Sequence, residues 1–175
     1  ILSVCDLGVD VTVKDNRDDR LWLFCISLYG SASMKTILLQ LQDQYDANVN
    51  LTLWALWLDH HRQSNDRILW RDGCRAGIRL QRITMAVRWL RKCLSKRGAQ
   101  VIVRRRLLRI ELALEKRQIQ KLSRLSAQVV AQNDKGIVTS VFTGHYLQEL
   151  GVPEGIQAAV TKEYKIWVGD YPNAS

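Results

Sequence analysis

The run Leu51-Thr52-Leu53-Trp54-Ala55-Leu56-Trp57-Leu58 leaves this chain few folds to choose from. Wound at 3.6 residues per turn, its leucines and tryptophans point to every side, so the segment has no face that can be given to water. It is also far shorter than the roughly 20 apolar residues needed to cross a bilayer. Such a helix has to be the centre of a domain, walled by other elements. Asn50 can cap it, because a side-chain oxygen there accepts the unpaired first-turn N–H groups, and the helix is expected to run from Leu51 to about His61.

The flanking sequence supplies the walls. Asp18 or Asp19 can cap a helix through Leu21 to Tyr29, which Gly30 ends, and Ser33 can cap a second one. Met34, Ile37, Leu38, Leu41 and Tyr45 recur in that second helix at spacings of three and four, the stripe of an amphipathic helix. After Ser64-Asn65-Asp66 the chain restarts into Ile68-Leu69-Trp70, where Gly73 and Gly77 predict a bend or a break. Leu80, Ile83, Val87, Leu90 and Leu94 form another stripe, with Gly98 as its stop. From Gln100 to Ala127 there is neither Gly nor Pro, and one long helix is predicted. Val141, Tyr146, Leu147 and Leu150 suit a short helix closed by Gly151 and Pro153, with a last helix over Ile156 to Trp167. The 175 residues are 47% apolar, enough for one core. The expectation is all-α: a single domain of about five to seven helices with a buried central helix and a long basic helix pair. Residues 1–17 read as a flexible leader, 18–127 as the helical core and 128–175 as a helical extension.

Charge is sharply segregated. From Arg71 to Arg124 the sequence holds 17 Lys or Arg against three acids, whereas the rest of the chain is net acidic, so the overall charge of +9 has one source. Arg79, Arg82, Arg88, Arg91 and Lys92 fall on one helix of the basic pair, and Arg104, Arg105, Arg106 and Arg109 on the other. The alternatives are a solvated outer face or a surface for an anionic partner, with nucleic acid, an acidic protein or a membrane surface as the expected class. Neither helix-turn-helix nor zinc-finger nor RNA-recognition spacing accompanies it. Leucines on two sides of the 100–127 helix also permit a homo-oligomer. No membrane span is expected, and Ile1 to Asp10, with Asp6 and Asp10 and no basic leader, suggest a cytoplasmic setting.

Signs of catalysis are sparse. Cys5, Cys25, Cys74 and Cys93 lack CxxC spacing and read as buried free thiols. His60 and His61 are adjacent and diverge by about 100° on a helix, so they are ill placed to share a metal. No catalytic residue, metal ligand or cofactor is assigned. The paired-carboxylate option sets Asp43 and Asp46 against Asp59 across a turn. A denser polar cluster, Gln42, Asp43, Asn48 and Asn50, lies between two apolar helices and either caps their ends or lines a small pocket, with Trp22 or Trp57 as its roof. The leading reading is a helical binding or adaptor protein with a basic surface. The alternative is a small-molecule binder or enzyme with its site at the 42–50 turn.

Leu21-Trp22-x-Phe24, Leu41-Gln42-Asp43, Asn48-Val49-Asn50-Leu51 and Leu56-Trp57-Leu58, in that order, resemble an uncharacterised proteobacterial family of small all-helical proteins of unknown function. Leu90-Arg91 and Glu111-Leu112-x-Leu114-Glu115 are similar to later pieces of the same family, so the likeness spans about residues 20 to 125. At the turns this chain departs, with Gly30-Ser31-Ala32-Ser33 where the family has a Pro-Gly type turn and Asp46-Ala47 where it often has Gly. The resemblance implies a helical fold and a bacterial cytosolic setting, and brings no activity.

Overall fold

A computed structural model describes residues 20–61, 67–94, 100–130 and 141–170. They form seven helices: α1 (Arg20–Gly30), α2 (Ala32–Tyr45), α3 (Val49–His60), α4 (Arg67–Cys93), α5 (Gln100–Val130), α6 (Val141–Glu149) and α7 (Glu154–Asp170), with no strand among the described residues. The leader and the caps at Asp18 or Asp19, like the stop at Gly98, lie outside the described residues.

α3 is the buried centre. Every residue from Val49 to Asp59 is buried, and α1, α2, α4, α5 and α6 all pack on it. α1 and α2 meet at 98°, folding the first two helices around one flank. Leu21, Phe24, Cys25 and Leu28 of α1 and Met34, Leu38 and Leu41 of α2 face inward at the spacing the sequence shows. α6 packs on α3 and α7 on α2, bringing Phe142, Leu147, Val160, Tyr164 and Trp167 into the same core. Aromatic rings set the core's geometry: Phe24 meets Trp57 edge to face at 5.1 Å and Trp167 at 5.3 Å, and Trp54 stacks on Trp70 at 5.6 Å. Such pairs contribute about 0.5–1.5 kcal/mol each beyond burial.

Three local expectations are corrected. α4 runs unbroken through Gly73 and Gly77. Their role is closeness: a Cβ at Gly73 would fall into the Trp54 ring, and one at Gly77 would come within 2.8 Å of Leu51. The helix keeps two glycines because α3 lies against its backbone there. The second helix begins after Ser31 and not Ser33, although the two hydroxyls touch at 3.1 Å. The third is capped by Asn48, and Asn50 lies within it.

α4 and α5 form an antiparallel hairpin, and only its base joins the body. Among residues 85–94 and 100–110 none is buried, whereas α5 beyond Glu111 contributes Ile119, Leu122 and Ser126 to the interior. With a helix rise of about 1.5 Å per residue, the free end reaches roughly 15 Å past the core. The leucines of α5 that permitted an oligomer, Leu107, Leu108, Leu112, Leu114, Leu122 and Leu125, are buried or half-buried within the chain. No single helix among the described residues is long and apolar enough to cross a membrane.

Candidate functional site

The turn between α2 and α3 and the base of the hairpin enclose a cleft of about 310 Å³. Its near wall begins where α2 stops. Asp46 adopts a left-handed conformation, φ 52°, and its N–H reaches the Leu41 carbonyl, which reverses the chain over Ala47 into α3. Asn48 then fixes the start of α3. Its Oδ1 accepts the N–H groups of Asn50 at 2.9 Å and Leu51 at 3.2 Å, its Nδ2 donates to Gln81 Oε1 at 2.9 Å, and its own N–H donates to the Tyr146 hydroxyl at 2.9 Å. One side chain starts a helix and ties it to α4. Two residues past the cap, Asn50 Nδ2 donates to Gln118 Oε1 at 2.8 Å, and Gln118 Nε2 donates to the Gly77 carbonyl at 3.2 Å.

The back wall is ionic. Glu111 is fully buried, and its two carboxylate oxygens accept from Arg88 Nε at 2.6 Å and Arg91 Nε at 2.7 Å. Arg88 also donates through Nη2 to Glu115 at 2.9 Å, and its Nη1 stands 3.5 Å from Gln42 Oε1 on α2. Burial pushes the Glu111 carboxyl up, but the hydrogen bonds and charges of Arg91 and Arg88 outweigh it and hold the group below the ordinary carboxylate value. A buried ion pair persists only when its lone pairs and protons are this fully matched. Arg104 completes the frame by donating to the Arg91 carbonyl at 2.8 Å.

On the far wall α4 presents Gln81, Thr84, Met85, Arg88, Trp89 and Lys92. The helical phase of residues 81, 85, 88, 89 and 92 brings these side chains to one side. Thr84 Oγ1 is bonded to the Leu80 carbonyl at 2.9 Å. The lining groups are amides, a hydroxyl already engaged, paired ions, two rim carboxylates and one aromatic plane. That is equipment for recognising a polar molecule and orienting it.

The structure thus brings Gln42, Asp43, Asn48 and Asn50 together on one wall, where capping and pocket-lining turn out to be compatible roles for Asn48. It moves the roof. Trp57 packs on Phe24 and on His61, whose ring lies 3.8 Å away, and Trp22 is in the core with Lys116 over its ring at 5.9 Å, so neither lines the cleft. Trp89 takes that position instead. Asp59 does not join Asp43 and Asp46 either. It lies at the other end of α3, buried, and its carboxylate accepts the Phe142 and Thr143 N–H groups at 2.9 and 3.0 Å, capping α6 from outside. Burial raises its pKa despite these bonds.

The basic residues divide into two sets. Arg88 and Arg91 are paired with the glutamates and Arg104 is half-buried, whereas Arg82, Lys92, Arg105, Arg106 and Arg109 are exposed. Arg79 belongs to α4, and its side chain lies outside the described residues. His60 reaches the Tyr164 hydroxyl at 2.5 Å, and His61 Nδ1 meets the Trp57 carbonyl at 3.0 Å. Among the described residues no group of three His, Cys, Asp or Glu is assembled as for a metal. Of the cysteines, Cys25 is buried, Cys74 is half-buried with its thiol pushed up to about 12 by burial, and Cys93 is exposed, contrary to its expected burial.

The segments that carried the family resemblance, distant in sequence, therefore converge: Gln42, Asp43, Asn48 and Asn50 form one wall, and Arg91, Glu111 and Glu115 stand behind it. No curated protein and no solved structure matches the chain. A family model does match, over residues 20–122, which include both walls of the cleft and the whole hairpin up to Leu122. The chain belongs to the family described as Protein of unknown function (DUF2390).

Proposed function

We propose that the chain is a cytoplasmic, non-enzymatic binding protein that holds a small polar molecule in the cleft between the α2–α3 turn and α4. The observation that carries this reading is the cleft of about 310 Å³ built on a preformed polar frame. Amides and ions fixed by buried partners lose little freedom when a ligand arrives, so their hydrogen bonds convert efficiently into affinity. The volume falls within the range of small-molecule sites, and Trp89 offers a flat apolar face beside the polar groups.

The test is thermal unfolding against a panel of polar metabolites, repeated with Gln81→Ala and Trp89→Ala. A ligand at about one hundred times its Kd stabilises by roughly 2.7 kcal/mol. The reading expects a stabilising compound whose effect is lost in both variants. A shift that survives both places the ligand elsewhere and ends this assignment.

A second reading keeps the basic surface as a docking face for an anionic partner, with Arg82, Lys92, Arg105, Arg106 and Arg109 among the exposed cations of the hairpin to support it. Association with a polyanion should weaken steeply as salt rises, since each neutralised phosphate releases counterions. Binding that is indifferent to salt would remove this second role and leave the cleft untouched.

A further inference from the structure

We infer that the free end of the α4–α5 hairpin docks on an anionic lipid surface. This rests on the reading of the hairpin as a docking face and names its partner. From Gly73 to Ile110 the sequence carries 12 Lys or Arg and not one Asp or Glu. Arg88, Arg91 and Arg104 are engaged within the hairpin, but Arg82, Lys92, Arg105, Arg106 and Arg109 are exposed. Among them stand large apolar side chains that the fold does not cover: Trp89 is 68% exposed and Ile102 62%, with Met85, Leu90 and Val103 close to half.

That mixture discriminates between partners. A polynucleotide is held chiefly by the cations and leaves most of an aliphatic set such as Leu90, Ile102 and Val103 in water. A second copy of the chain would set two hairpins of the same strong charge against each other. A groove-binding helix covers one stripe, whereas Met85 and Leu90 stand about 140° apart around α4. An anionic headgroup layer uses both components: the cations meet phosphates, and tryptophan and aliphatic side chains sink into the interface around them. Because none of residues 85–94 and 100–110 is itself buried, the exposed side chains among them can sink without unpacking the core.

The test is co-sedimentation of the full chain with vesicles of phosphatidylcholine containing 30% phosphatidylglycerol, set against phosphatidylcholine alone and against a 20-base-pair RNA duplex. The chain is expected on anionic vesicles and not on neutral ones. Arg105→Gln/Arg106→Gln/Arg109→Gln should lower the partition about a hundredfold, at the usual contribution per basic residue. Trp89→Ser/Ile102→Ser should lower it about tenfold or more, because apolar area leaves the interface. All of these positions are exposed, and far-UV circular dichroism checks that both variants stay helical. Three results would overturn the lipid assignment: absence from anionic vesicles, partition unchanged in Trp89→Ser/Ile102→Ser, or duplex binding that vesicles fail to compete. The last leaves the docking face standing with a different partner. Loss of nothing at all in the triple arginine variant, with vesicles or duplex, would remove the docking face itself.

Discussion

Asn48 shows how much one side chain can decide. Replacing it with Ala removes the cap from two N–H groups and the partner from Gln81, and should cost about 1–2 kcal/mol, read as a lower urea midpoint. Asn48→Asp keeps the acceptor and should recover most of that loss. Gly73→Ala tests closeness in the same way. The new methyl has to displace the Trp54 ring, which also donates to Ser126 Oγ at 2.7 Å, so a loss of about 1–3 kcal/mol is expected where a helical Gly→Ala change ordinarily stabilises. Neither role was fully legible beforehand. Asn48 and Asn50 both have cap chemistry two positions apart, and the sequence offers no sign of which lies outside the helix. A glycine within a helical pattern reads as a weakness until the neighbour that needs its missing side chain is known.

At the level of elements, the inward stripe of α2 and the all-round burial of α3 were readable because both are written locally, the one as a helical period and the other as its absence. The ion cluster was not. Arg88 and Glu111 are 23 positions apart, and only the antiparallel return of α5 along α4 brings them to 2.6 Å. Arg88→Met should destabilise by about 3–5 kcal/mol, since it takes one partner from each of two buried carboxylates, while Arg88→Met/Glu111→Leu/Glu115→Leu should recover much of the loss. The pH dependence has a definite sign. Glu111 has its pKa lowered in the folded chain, so its stabilisation is complete above the ordinary value near 4.5 and drains away as pH falls through the depressed folded value. Urea midpoints between pH 3 and 7 should therefore fall more steeply for the intact chain than for Glu111→Gln, and parallel curves would contradict the assigned direction. Trp89 illustrates a different difficulty. In a basic helix it reads as a packing residue, and only its phase against Gln81, Met85 and Lys92 puts it beside the cleft.

For the whole molecule, the family match ends at residue 122, yet the cleft is fastened from beyond it. The Tyr146 hydroxyl accepts the N–H of Asn48, Trp70 meets that same ring at 5.5 Å, and Asp59 grips the first turn of α6. Asp59→Ala should leave two buried N–H groups without an acceptor, cost about 2–4 kcal/mol, and speed amide exchange in α6 before it does so in α3. Uniform acceleration across the chain would mean that α6 is not a separable unit. Distant fastenings of this kind leave no periodic trace, which is why the C-terminal helices could be anticipated as helices but not as part of the site's support. The bond from Asn48 to Tyr146 also gives the cleft a rear hinge pin. Whatever presses on the α2–α3 turn from the front is felt by α6 behind it, so a guest in the cleft should slow hydrogen exchange in a helix it never touches.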